Sequence, residues 1–77
     1  MPRDITAYVL FVVTVGNEYE VASTLQSLPN VTAVDVVYGE YDIIATFVGE
    51  SLRALDSAIT SARKLDTVTK TLTLIAG

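Results

Sequence analysis

Two carboxylates and two tyrosines crowd one corner of this 77-residue chain, Tyr38-Gly39-Glu40-Tyr41-Asp42, between two apolar runs. A carboxylate at Asp42, beside Ile43 and Ile44, must be hydrogen-bonded or must meet something from outside, because desolvating an unpartnered charge is costly. Two assignments fit the residue type. Asp42 caps the turn by accepting from backbone amides, as Asp commonly does near turns. Alternatively it holds an ammonium, with the carboxylate of the same small amphoteric molecule on exposed amides near Gly39. Glu40 and Asp42 are the candidate pair for acid-base catalysis, but alternate residues around a tight turn do not show that they converge. Tyr38 and Tyr41 suit core or interface anchoring better than ligand stacking. The other polar series is Thr67, Thr69, Thr71 and Thr73, for which strand propensity alone is a sufficient reason.

Much other chemistry is excluded by what is missing. The chain has no cysteine and no histidine, which removes disulfides, thiolate nucleophiles, zinc ligands and the usual general base; a metal would have to rest on carboxylates alone. Neither a metal nor a cofactor is expected. Five basic against nine acidic residues give a net charge of −4, with no basic cluster to track phosphates, so nucleic acid is not a direct partner. Absence of cysteine fits a reducing cytoplasm, and the protein is expected to be soluble and cytoplasmic. Residues 5–17 form an uncharged, strongly apolar segment too short to span a bilayer, and Met1-Pro2-Arg3-Asp4 is a poor signal n-region. No membrane is expected as a partner.

The elements that must position the corner follow from hydrophobic periodicity. Residues 6–15 (TAYVLFVVTV) are apolar at both parities, which marks a strand covered on both faces. Gly16 and Asn17 break the run, and Asn17 with Glu20 three residues on predicts a capping box. Val21, Ala22, Leu25 and Leu28 recur at helical spacing until Pro29. Residues 31–38 (VTAVDVVY) and 41–48 (YDIIATFV) read as two strands joined by a tight Gly39-Glu40 turn, since glycine tolerates positive φ. Ser51 or Glu50 can cap a second helix with Leu52, Leu55, Ile59 and Ala62 on one face. Residues 67–75 (TVTKTLTLI) form a last strand, with its threonines on one face and Val68, Lys70, Leu72 and Leu74 on the other.

The resulting order, β-α-β-β-α-β, is an α+β ferredoxin-like arrangement: a four-stranded antiparallel sheet with two helices on one face. Its other face cannot simply be wet, because the first and third strands are apolar on both sides, so a dimer through the open sheet face is expected. An apolar fraction of 51% in so short a chain points the same way. One domain is expected to fill residues 1–77.

The fold serves many functions, so the site must decide. A metallochaperone needs Cys-x-x-Cys after the first strand, where this chain has Val15-Gly16-Asn17-Glu18, and an acylphosphatase needs an arginine there. An RNA-recognition domain needs basic neighbours beside its stacking aromatics. An enzyme is not expected. An amino-acid-binding module, an ACT-type domain of the same strand order and a purely structural oligomer remain.

With these residues laid out, the chain resembles the effector-binding domain of the Lrp/AsnC transcription regulators, the RAM domain. The likeness runs over essentially the whole length. It rests on Thr6-Ala7-Tyr8-Val9-Leu10, on Leu28-Pro29-Asn30-Val31, on Gly39-Glu40-Tyr41-Asp42 and on Val68-Thr69-Lys70-Thr71, and the Gly-x-Tyr-Asp corner is its specific part. Two departures stand out. Val15 replaces a proline that often precedes the glycine, and the helix-turn-helix of the regulators is missing, as in stand-alone RAM-domain proteins. The resemblance implies a sheet-face homodimer assembling into rings, commonly octamers, with an amino-acid effector between neighbouring dimers; with the helix-turn-helix missing, mixed assemblies with full-length Lrp/AsnC regulators through the same sheet face are also expected. By position it implies a ligand-binding role for Gly39, Tyr41 and Asp42, and for Thr69 and Thr71.

Overall fold

The computed structural model describes residues 4–76; Met1, Pro2 and Arg3, which bear on the signal-peptide expectation, lie outside them. Six elements follow in the expected order: β1 (Ile5–Val13), α1 (Glu18–Gln26), β2 (Val31–Val36), β3 (Ile43–Gly49), α2 (Leu52–Arg63) and β4 (Val68–Ile75). The sheet is antiparallel throughout, in the order β2-β3-β1-β4. The ferredoxin-like fold is therefore present, with β1 and β3 central and β2 and β4 at the edges.

Alternation along the central strands sorts the sheet into two faces. Ala7, Val9, Phe11 and Val13 of β1 and Ile43, Ala45 and Phe47 of β3 are buried, and Val21 and Leu25 of α1 with Leu55, Ile59 and Ala62 of α2 close over them. The opposite face carries Tyr8, Leu10 and Val12 of β1, Ile44, Thr46 and Val48 of β3, and Leu72 and Leu74 of β4. Cross-strand pairing places Ile44, Leu10 and Leu72 in one row at its centre. No helix covers this row, and the apolar surface it exposes is contiguous.

Helix starts differ in how their free amides are satisfied. Ser51 is extended at φ −151 and its Oγ accepts from the amide of Ala54 at 3.1 Å, a side-chain cap. The capping box expected at α1 is not formed. Asn17 sits at φ −103, ψ 7, away from the extended backbone that aims a cap oxygen at the next turn. Instead Glu18 Oε1 accepts from the Gly16 amide at 3.1 Å, and Asn17 Nδ2 donates to Glu20 Oε1 at 3.5 Å. Ser51→Ala is accordingly expected to destabilise the fold by about 1 kcal/mol, a fall of about 4–8 °C in Tm for a domain of this size. Asn17→Ala is expected to lower Tm by less, and paired thermal melts check the order.

After α1 the chain is turned by Asn30 in the left-handed region, φ 73, which Asn tolerates better than most residues. Its Nδ2 donates to the Val48 carbonyl at 3.0 Å and its own carbonyl accepts from Val48 N at 2.8 Å, locking β2 to β3. Leu52 departs from the expected apolar face of α2. It is 59% exposed, because α2 packs on β3 and β1 and leaves a gap before β4. No helix among the described residues is long and apolar enough to cross a membrane.

Candidate functional site

The corner between β2 and β3 is wider than a two-residue turn. β2 ends at Val36 and β3 begins at Ile43, so residues 37–42 form a loop closed by Val37 N donating to the Asp42 carbonyl at 2.9 Å. The cause is that Asp42 turns toward β1. Its amide donates to the Phe11 carbonyl at 2.8 Å, and its Oδ2 accepts from the Val13 amide at 2.9 Å. The regular β1–β3 pairing stops at Phe11 and Ile43, and the carboxylate takes up the next strand amide beyond it. The contact is a structural one to a backbone amide, but the amide belongs to the end of β1 and not to the turn or strand start for which the residue type suggested a cap. The other carboxylate oxygen has no hydrogen-bond partner among the described residues, so the side chain is held in place with one oxygen still free.

Gly39 lies at φ 139, in the region that favours glycine. A Cβ there would meet nothing within 4 Å, so the backbone conformation and not crowding selects the residue. Tyr41 is half-buried, and Lys70 of β4 places its Nζ 5.7 Å from the centre of the Tyr41 ring, within cation-π range. Sequence reasoning gave Lys70 no role. Its ring partner is remote in the chain and reached only through the β1–β4 register, so local spacing carried no signal for it.

The strict alternation predicted for β4 breaks at its start, where Val68 packs on the core side and not with Lys70, Leu72 and Leu74. A bulge between Val12 and Val13 pairs Val12 with Lys70 but Val13 with Val68, leaving Thr69 as the extra residue. Thr69 Oγ1 donates to the Val12 carbonyl at 3.1 Å, and Thr71 and Thr73 pair with Phe11 and Val9 on the helix-bearing side. Thr69 and Thr71 still line a shallow 180 Å³ depression with Arg63 and Lys70. Asp42 lines a different one of 210 Å³, with Glu18, Tyr19 and Tyr38. The end of β1 thus gathers Tyr41, Asp42, Thr69 and Lys70, but one chain does not enclose them in one pocket. Glu40 is exposed in the loop and makes no hydrogen bond to Asp42, so the candidate acid-base pair is not assembled. Among the described residues no group of three metal-ligating side chains comes together.

The family model of the Lrp/AsnC ligand binding domain matches residues 6–76. No curated protein matches in sequence. Among solved structures, a hypothetical protein from Pyrococcus horikoshii superposes with a TM-score of 0.89 at 41% identity, covering 94% of this chain and 88% of its own. A protein from Thermus thermophilus has a TM-score of 0.89 at 31% identity over 95% of this chain and 92% of that one. A transcriptional regulator from Neisseria meningitidis, solved as a complex with L-Met, shares the fold, with a TM-score of 0.80 at 13% identity over 94% of this chain and 49% of that one.

Proposed function

Because the chain belongs to the Lrp/AsnC ligand-binding domain family, which is regulatory and not enzymatic, we propose that it is a cytoplasmic amino-acid-binding regulatory module. It pairs through its open sheet face, assembles as dimers into a ring, octameric in the simplest case, and binds a small amino acid between neighbouring dimers. The observation that carries this is Asp42, fixed by Val13 with one oxygen free, beside Tyr41 and the exposed Gly39 backbone. An α-ammonium suits the free oxygen and an α-carboxylate suits the loop amides. Thr69 and Thr71 complete the site from the β4 side. That these groups fall in two shallow depressions supports a site completed by a second dimer. The L-Met complex of the Neisseria regulator supports an amino acid as the ligand class. By the same sheet face the module pairs with full-length regulators of the family and modulates them.

A second reading has one observation in its favour: Asp42 already has a structural partner in Val13. On that reading the chain is an oligomerisation subunit with no small ligand. Thermal shift against the twenty amino acids, at fixed protein concentration, separates the two. Ligand at about 100 times its Kd adds about 2.7 kcal/mol, or roughly 11–22 °C at about 4–8 °C per kcal/mol, and the shift is expected for one or a few amino acids only. Asp42→Asn keeps an acceptor for Val13 and removes the charge, so it is expected to stay folded and lose the shift. Asp42→Ala is expected to lose the shift and also about 1–3 kcal/mol of stability, because the Val13 amide loses its partner. A flat panel with folded parent protein establishes the structural subunit instead.

A further inference from the structure

Among the described residues the basic side chains are confined to one side of the molecule. Four of its five basic residues, Arg53, Arg63, Lys64 and Lys70, belong to α2, the residue after it, and β4. Across the sheet, α1, β2 and the corner loop carry Glu18, Glu20, Asp35, Glu40 and Asp42 and no basic residue. Each edge also has an apolar feature. On the acidic edge Tyr38 is 96% exposed and Tyr19 is 72% exposed, flanking Glu18 and Asp42. On the basic edge the gap between α2 and β4 is a 620 Å³ cleft, floored by Leu55, Ile59 and Ile75 and rimmed by Arg53 and Arg63; Asp56 is the one acid in its lining.

We propose that the Tyr19–Tyr38 corner of one copy docks into the α2–β4 cleft of a second copy, head to tail. Tyrosine leaves a ring in an apolar slot while its hydroxyl stays wet, and arginine both stacks on aromatic faces and grips carboxylates. Glu18 meets Arg53 and Arg63 at the rim, which leaves the free oxygen of Asp42 to the ligand. The cleft falls within the roughly 300–1,000 Å³ typical of sites that take a small organic group, so it has room for a phenol ring. Because knob and cleft lie on opposite edges, the contact is heterologous and propagates into a ring or an open array. It leaves the open sheet face free. It supplies the dimer-to-dimer contact of the ring proposed above and rests on that reading.

Sedimentation velocity of the full chain tests both and tells them apart. Parent protein is expected as a species larger than a dimer. Tyr38→Ala, which removes an exposed side chain, and Arg53→Glu, which puts an acid in the first turn of α2 where the helix dipole favours it, are each expected to fold and to sediment as dimers. Mixing the two variants is expected to recover assemblies larger than a dimer, since one supplies intact clefts and the other intact knobs. A parent that stops at the dimer or monomer overturns the ring and this contact together. A large parent species unchanged by both substitutions overturns the contact alone, as does failure of the mixture to re-form larger species.

Discussion

Phe47→Ala is expected to lower stability by about 3–5 kcal/mol, the usual cost of emptying a buried phenylalanine site. Phe47 is fully buried at the centre of β3, opposite Ala7 of β1 and Val31 of β2. It shares the single layer between sheet and helices with Phe11, Leu25 and Leu55, which are also inaccessible. A chain this short has few other large side chains to relax into the cavity. At about 0.05–0.15 kcal/mol per residue, 77 residues hold roughly 4–12 kcal/mol in total, so the substitution consumes much or all of it. Urea unfolding at fixed protein concentration checks this through the midpoint; a fall of under about 1 kcal/mol, on the order of a surface substitution, would show that the layer is not the cooperative core.

The order of elements was legible because each carries its own period. Residues 6–15 and 41–48 are apolar at both parities and became the two central strands; Val21 with Leu25, and Leu55 with Ile59 and Ala62, are a turn apart and became the buried stripes of the helices. Ser51 was legible as a cap for the same local reason. The misses all depend on long-range geometry. Asn17 has the right residue type for a cap, but its backbone angle is set by how the chain leaves β1. The corner opened to residues 37–42 because Asp42 bonds to Val13, a partner 29 positions earlier. The alternation of β4 is broken at Val68 by a bulge whose location depends on β1 pairing with β4. Lys70 over Tyr41 belongs to the same class. In the candidate site, residue identity pointed to Asp42, while its Val13 partner and its separation from Thr69 and Thr71 needed the fold.

Under the proposed sheet-face pairing, Leu10→Glu is expected to yield a folded monomer. Leu10 stands mid-strand on the open face, between Ile44 and Leu72 in the cross-strand row, half-buried with no helix above it. In an isolated chain the substituted carboxylate points into water, so the helix-covered core and the fold are untouched. When two such faces pack about a two-fold axis, the same patch appears on both copies. Each interface then receives two glutamates, close together and cut off from solvent. An unpaired buried charge costs several kcal/mol even after relaxation, and two of like sign add repulsion. Exposed apolar rows of this extent otherwise mark contact surfaces. Ser57→Glu, on the exposed side of α2, adds the same charge off the face and is expected to leave assembly intact. Sedimentation equilibrium with far-ultraviolet circular dichroism reads mass and fold together. If Leu10→Glu keeps the parent mass while folded, the sheet face is not the pairing surface, and the apolar row is free to meet another partner.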